Sequence, residues 1–447
     1  MSALQKDGPF AWFYLAITAL TCFLLLGLAD STGIIVAVLI VHHNESNAKG
    51  GWIGSIVFFL IFGFAPVVVS VHNRFGFRWC MFISCFFYCL SFLITPFVEN
   101  MNIIFLTFSI PIGLSISMIS TLSVTTQREY FSKYYGSAIC IRYGATALGT
   151  VVVSFVLPFV FDGVGYKNTF LCMLAFLPVI VCYGLVSRDQ VTNIESHKNE
   201  KSTKKIYLEL LQDKTFTLGL AGIALQMLSI TIPHVFMVRY GMTLGYSLSK
   251  AKWFSISKGM TMFVATSLTG RMSDKALKHG KIKLISLTCC VIFGVCSLLC
   301  SFVESFPMIV VYMALVGLVE GVWWSTYPVV VVEITSGYPT NEAFGLVNFI
   351  VALVRLPGPP FLGWLFDITG DFRYALYIMT VISITAAIFL AISSHVNVEK
   401  HLSLSEKRNA RKTYVIESDE ARGVKDSLCF FHDKLIIPET ITYETSV

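Results

Sequence analysis

Charge is what this chain has least of. Asp, Glu, Lys and Arg together make up 13% of its 447 residues, about half the share found in an ordinary globular domain. With 55% hydrophobic residues and a mean hydropathy of +0.71, a water-soluble fold is excluded. A nucleotide-binding loop, a metal-ligand cluster and a nucleophile triad are also missing, so neither an enzyme nor a bound cofactor is expected. An ATP-driven pump would need a phosphate-cradling module, and no polar stretch is long enough to fold one. Nothing before Phe10 reads as a cleavable signal peptide, because the chain turns apolar almost at once. The first apolar segment is expected to be retained and to act as its own insertion signal. The twelve cysteines lie mostly in apolar segments, where a thiol behaves as a small hydrophobe; their even number is not read as a disulfide framework.

What is abundant is apolar length. A membrane span needs about 20 mostly apolar residues, and twelve such windows read as 12–41, 52–71, 79–98, 103–125, 136–161, 168–187, 215–237, 253–270, 284–303, 307–332, 344–366 and 373–394. No water satisfies backbone groups at that depth, so each span is expected to be an α-helix and the fold class all-α polytopic membrane protein. Placing both termini in the cytosol puts 24 of the 33 basic residues on that side and six on the other, with Arg142, Lys258 and Arg355 inside spans. That asymmetry favours cytosolic termini. The net charge of +6 then reflects topology and contact with anionic lipid rather than nucleic-acid binding. A polar interval over 188–213 separates a six-span half (1–187) from a second one (214–397), and a polar, mixed-charge tail occupies 398–447. Six plus six is the pattern of a parallel repeat with a substrate site near mid-depth between the halves.

Four stretches of text carry a resemblance. Asp7-Gly8-Pro9-Phe10-Ala11-Trp12 stands at the mouth of the first span, and Tyr130-Phe131-Ser132-Lys133 just before the fifth. Pro233-His234-Val235-Phe236 followed by Tyr240 lies in the seventh. Gly345-Leu346-Val347 through Gly358-Pro359-Pro360, then Gly363, Asp367 and Gly370-Asp371, covers the eleventh. In this order and at these spans they resemble the monocarboxylate transporter family, a branch of the major facilitator superfamily. The resemblance implies the major facilitator fold and a carrier of small organic acids at the plasma membrane. It also implies travel to the surface with a single-span immunoglobulin-type partner, though no residue here shows that need. Asn73-Arg74-Phe75-Gly76-Phe77-Arg78 and Gly270-Arg271-Met272-Ser273-Asp274-Lys275 resemble the superfamily's loop motif, which makes Asp274 a gating residue; Asn73 stands where the first copy should carry an acid.

The proton-coupled members of that family typically carry a Lys late in helix one, and an Asp and Arg one turn apart in helix eight. Counting without gaps, those positions fall here on Asp30, Met262 and Thr266. All three functional residues are replaced, so proton–lactate symport does not follow from the resemblance. Charges inside a span are costly unless paired or hydrated, which makes each one a site candidate. Asp30 lies roughly 27 Å along the first helix from Trp12, and Lys258 roughly 9 Å into the eighth, so both are expected in the outer third as a charge-reversed pair binding substrate. In the bland alternative Lys258 snorkels and Asp30 meets loop water. Arg142, roughly 9 Å into the fifth helix, reads as a structural or snorkelling Arg, with an inner-gate anion contact as the other reading. Arg355, some 18 Å into the eleventh, is the leading carboxylate anchor, since a guanidinium offers a planar fork to a carboxylate; a structural acid such as Glu320 could hold it instead. Glu320 and His234 are proton-coupling candidates. Trp323 or Trp324 could line the cavity, or face lipid or the other half.

The expectation is therefore a secondary carrier of monocarboxylates or related small organic acids, working by alternating access, with proton coupling open. Its alternatives are a pH-independent facilitative carrier of amino acids or other zwitterionic or cation-bearing molecules, and a non-transporting receptor or scaffold that keeps the carrier fold.

Overall fold

A computed structural model of the protein describes residues 6–132, 134–187, 207–278, 282–335 and 340–396. Among them the chain is helical with short connections and contains no strand. The membrane helices are α1 (9–43), α2 (47–75), α3 (77–97), α4 (101–125), α5 (135–164), α6 (166–186), α7 (214–243), α8 (248–278), α9 (282–300), α10 (306–334), α11 (340–369) and α12 (373–396). Nine continuous helical stretches among the described residues are long and apolar enough to cross a membrane. The count becomes ten with the two pieces of α2, which meet at a 49° bend. One of the nine, Tyr135–Val186, is broken at Gly165 (φ 78°) into α5 and α6. The helix Leu248–Lys278 misses the apolar criterion, because lysines and hydroxyl side chains run through it. Those two adjustments restore the twelve spans. The tail beyond 396 and the interval 188–206 lie outside the described residues; the rest, up to Ser393, forms one compact unit.

The helices hold in an apolar medium because their polar groups are closed internally. Thr18, Thr146, Thr231, Ser297 and Ser325 each donate to a carbonyl one turn earlier. Helix starts carry Pro in the first turn of α1, the second piece of α2, and α10, where a missing N–H costs nothing. Ser46 caps α2 and Asp213 caps α7 with side-chain oxygens. Large apolar side chains such as Phe86, Leu106, Leu268 and Ile368 stay exposed on the outside, as a surface bathed in hydrocarbon requires. Among the described residues the cysteines form no disulfide.

Two departures from regular helix bear on function. A π-helical segment, Cys22–Leu26, and a break at Ser31 flank Asp30 in α1. Such irregularities are tolerated at depth where the backbone lines a cavity or packs against protein. Pro233 interrupts the α7 ladder immediately before His234. The helices also run past their expected ends. α8 begins at Leu248, about 15 Å from Lys258 along the helix axis.

Candidate functional site

The first and fifth helices are joined where they begin. Asp7, in the left-handed region (φ 61°), donates its N–H to the Tyr130 carbonyl at 3.0 Å, and its Oδ1 accepts from the backbone N–H groups of Ser132 and Tyr134 at 3.3 Å. Gly8 starts α1 by accepting from Ala11 and Trp12. Trp12 packs edge-on against Phe131 (5.3 Å), and Tyr14 stacks on Tyr130 (4.2 Å). Two motifs about 120 residues apart in the chain thus form one clasp, which joins the entry of α1 to the start of α5. Asp274 and the motif around it lie on the last turns of α8, and their side chains fall outside the described ones.

At mid-depth, five of the candidates come together. Lys258 on α8 lies 4.0 Å from the Glu320 carboxylate on α10, and His234 Nε2 on α7 lies 3.4 Å from the same Oε2. All three are buried. The acid within ion-pair distance of Lys258 is therefore Glu320. Asp30 instead accepts from the Thr150 hydroxyl at 3.4 Å and remains half-buried, within Coulombic range of Lys258 and Arg355. Arg355 donates through Nε to Thr231 Oγ1 at 2.6 Å and lies over the rings of Phe58 (5.2 Å) and Phe62 (4.9 Å). Its Nη1 is buried without a hydrogen-bond partner, and neither Glu320 oxygen receives a hydrogen bond. A buried donor left open costs about 1–3 kcal/mol, more when charged, so this site is built with unspent hydrogen-bonding capacity.

The proton count follows from one contact. His234 Nδ1 lies 2.9 Å from the Ile230 carbonyl, which can only accept, so Nδ1 carries the hydrogen. In a neutral ring Nε2 is then a bare lone pair facing a carboxylate. The approach to Glu320 is favourable only when one proton lies on either partner. Asp30, Glu320, Lys258 and Arg355 sum to zero; one proton on His234 or Glu320 would make the cluster singly positive.

Beside this charged layer, nearer the end where α1 begins and α12 ends (the terminal end), is an aromatic one. Phe62 (α2) stacks on Trp324 (α10) at 5.7 Å, Trp324 stacks on Tyr143 (α5) at 6.2 Å, and Tyr327 meets Trp324 edge-on. Trp324 takes this place; Trp323 is fully buried elsewhere in the packing with an unpartnered Nε1. Arg142 lies over Tyr143 at 4.6 Å and is held by Ser123 and Ser120.

At the opposite end the two sets of six helices are tied directly. Asp367 on α11 accepts from the backbone N–H groups of Asn47 (3.1 Å) and Ala48 (3.0 Å) and from the Asn47 side chain (2.6 Å) at the start of α2. Arg239 on α7 donates to Asn47 Oδ1 at 3.0 Å. Lys252 lies 3.5 Å from the centre of the Phe159 ring, and Ser249 donates to Asp162. Sequence reasoning missed this lock and the aromatic layer. Asp367 stood in the quoted α11 text without a role, and nothing local marks Phe62 or Tyr143 as partners of Trp324.

A sequence profile of the Major Facilitator Superfamily matches residues 15–359 and 243–437. The chain is 23% identical over 435 residues to monocarboxylate transporter 2 of Meriones unguiculatus, covering 92% of this chain and 89% of that one. It is 21% identical over 441 residues to monocarboxylate transporter 12 of Xenopus laevis, covering 92% and 93%. Its fold resembles the crystal structure of a point mutant of the nucleoside transporter NupG, with a TM-score of 0.68 at 13% identity over 85% of this chain and 99% of that one.

Proposed function

From the fact that this chain belongs to the Major Facilitator Superfamily, we propose that it is a secondary carrier of small monocarboxylates or related organic acids, coupled to one proton per anion. The observation that carries the reading is Arg355, buried at mid-depth with Nη1 unpartnered, as one of two bases in a charge-balanced set with Lys258, Asp30 and Glu320. A carboxylate docks on the Arg355 fork. That adds one negative charge to a cluster of zero, which is costly in a dry site. The proton held between His234 and Glu320 restores neutrality, so anion and proton travel together. The similarity to monocarboxylate transporters supports the cargo class. Residues Asp30 and Lys258 set the potential that the anion meets.

Alternating access follows the two ends. The lock at Asp367 holds one end shut while the other opens, and the charged layer faces each side in turn. We place the termini, and the end that carries them, in the cytosol on the distribution of Lys and Arg, and the protein in the plasma membrane.

A second reading has its own observation. Asp30 is a half-buried acid within range of Arg355, so a zwitterion could put its carboxylate on Arg355 and its ammonium near Asp30. Such a cargo adds no net charge and needs no proton.

Uptake of radiolabelled lactate and of a neutral amino acid panel, at two external pH values, separates the two. Proton-coupled carriage gives lactate entry that rises as external pH falls, because each anion draws one proton from that side. Flat lactate uptake with pH-independent entry of an amino acid would overturn the first reading in favour of the second.

A further inference from the structure

Arg142 is a buried cation that the mid-depth cluster does not use. Its Nε donates to Ser123 Oγ at 2.7 Å, Nη2 lies 3.4 Å from the carbonyl and hydroxyl of Ser120, and its plane covers the Tyr143 ring. Nη1 is buried with no hydrogen-bond partner. Every one of these partners is neutral. The acid whose field reaches it, Asp30, is shared with Lys258 and Arg355. A dry guanidinium surrounded by neutral groups is an incomplete ion pair.

Its position gives the missing ion a route. Along α5, Arg142 lies eight residues from Thr150, or about 12 Å, toward the end that carries the termini. Between it and Arg355 runs a ladder of rings. Arg142 covers Tyr143, Tyr143 stacks on Trp324, Trp324 stacks on Phe62, and Arg355 covers Phe62. Tyr143, Trp324 and Phe62 are each half-buried, so space adjoins the ladder. One arginine belongs to the first six helices and the other to the last six. Both present an unpartnered Nη1, and both rest on the same row of rings.

We propose that Arg142 is a second carboxylate-binding site, which receives the anion from Arg355 on the terminal side of Trp324. The inference rests on the carrier reading above for its direction of traffic, but the site itself needs only an anion. The charge-balanced cluster at mid-depth requires a proton to hold a carboxylate. Arg142, with neutral partners, requires none, so the anion passes to Arg142 once its proton leaves. The apolar part of the substrate rests against Tyr143 and Trp324 in transit, which favours monocarboxylates with a planar or aromatic tail.

The test uses the full chain reconstituted in vesicles of one orientation, with benzoate as the probe. Arg142→Gln should raise the half-saturation concentration from the terminal side about tenfold, the worth of one charge-assisted hydrogen bond. The value from the other side should stay within about twofold, well inside that difference. Arg142→Lys should retain most of the terminal-side affinity, whereas Arg355→Gln should weaken both sides. Equal shifts from both sides, or none in a variant of normal abundance, would overturn the second site. Should the wild-type chain carry no benzoate, tryptophan fluorescence of the purified protein gives the reading, since Trp324 stacks on the ring beneath Arg142. Quenching by benzoate that survives Arg355→Gln and vanishes on adding Arg142→Gln would keep the site while the carrier reading fails. Quenching indifferent to Arg142 would sink the site alone.

Discussion

The two ends of the seam between α2 and α11 are closed in different ways. At the end away from the termini, the Asp367 carboxylate takes three N–H groups at the start of α2, and the backbones approach so closely that side chains are excluded. A Cβ added to Gly51 would lie 2.7 Å from the Pro359 carbonyl oxygen, and one on Gly363 would lie 2.5 Å from that of Asn47. Toward the termini the separation grows. A Cβ on Gly63 would meet the Ala352 methyl at 3.1 Å, and one on Gly345 would meet only the Pro66 ring at 3.6 Å. Contact there is made by side chains, the Ala352 methyl and the Pro66 ring, rather than by backbone, and the ring ladder of Phe62, Trp324 and Tyr143 lies beside it. The helices therefore splay from a polar, glycine-packed lock toward an aromatic end. An alternating-access carrier needs that contrast: one end must be held by bonds specific enough to re-form, the other by surfaces that part at small cost. The charged layer lies between them.

The largest effect is expected where the two ends converge. Glu320→Ala leaves Lys258 buried beside a cavity, and removing one partner of a buried ion pair typically costs about 3–5 kcal/mol. A sharp loss of abundance and thermal stability should follow, measured by melting of the purified protein. Glu320→Gln is the gentler variant. It keeps volume but cannot share a proton as a carboxylic acid does, so acid stimulation of lactate uptake should flatten while protein remains at the surface. Full acid stimulation in Glu320→Gln would remove Glu320 from the proton path.

Next comes the lock. Gly51→Ala forces a methyl onto the Pro359–Pro360 backbone, an overpacking of about 1–3 kcal/mol that bears on one conformation only. The carrier should shift toward opening at that end, seen as faster thiol labelling of a cysteine placed at the start of α11's lock partner, α2. Asp367→Asn should act in the same direction by about 1–2 kcal/mol, through loss of charge from three hydrogen bonds. Unchanged labelling in both variants would mean that the lock does not hold the state.

Much of this was legible in the sequence, and the illegible part has a common cause. Twelve helices could be read because bilayer thickness fixes their length, and α8 was among them as the apolar window 253–270 despite its lysines. The charged candidates could be read because an intramembrane charge needs a reason: Asp30, His234, Lys258, Glu320 and Arg355 share one layer. Pairing could not be read. Helix depth places Asp30 and Lys258 near the same level, yet rotation about each helix decides which acid Lys258 meets, and that acid is Glu320 at 4.0 Å. The same limit separates Trp323 from Trp324, adjacent residues turned by one helical step, one packed away and one in the ring ladder. The lock escaped for another reason: Asp367 and Asn47 are 320 residues apart, and a short polar residue at a helix start reads as a cap for its own helix.

The smallest effect sharpens the comparison most. Gly345→Ala is the same substitution as Gly51→Ala, made at the other end of the same seam. Its methyl meets only the Pro66 ring at ordinary contact distance, while Ala is favoured over Gly in a helix by about 0.8–1 kcal/mol. Stability should be unchanged or raised by up to about 1 kcal/mol, and labelling of the lock should stay as in wild type. The two variants are thus expected to differ in sign, although residue type, helix pairing and added volume are identical. Destabilisation of Gly345→Ala to the extent of Gly51→Ala would show that the seam is packed evenly from end to end. The division between a polar lock and a parting aromatic surface would then have to be abandoned.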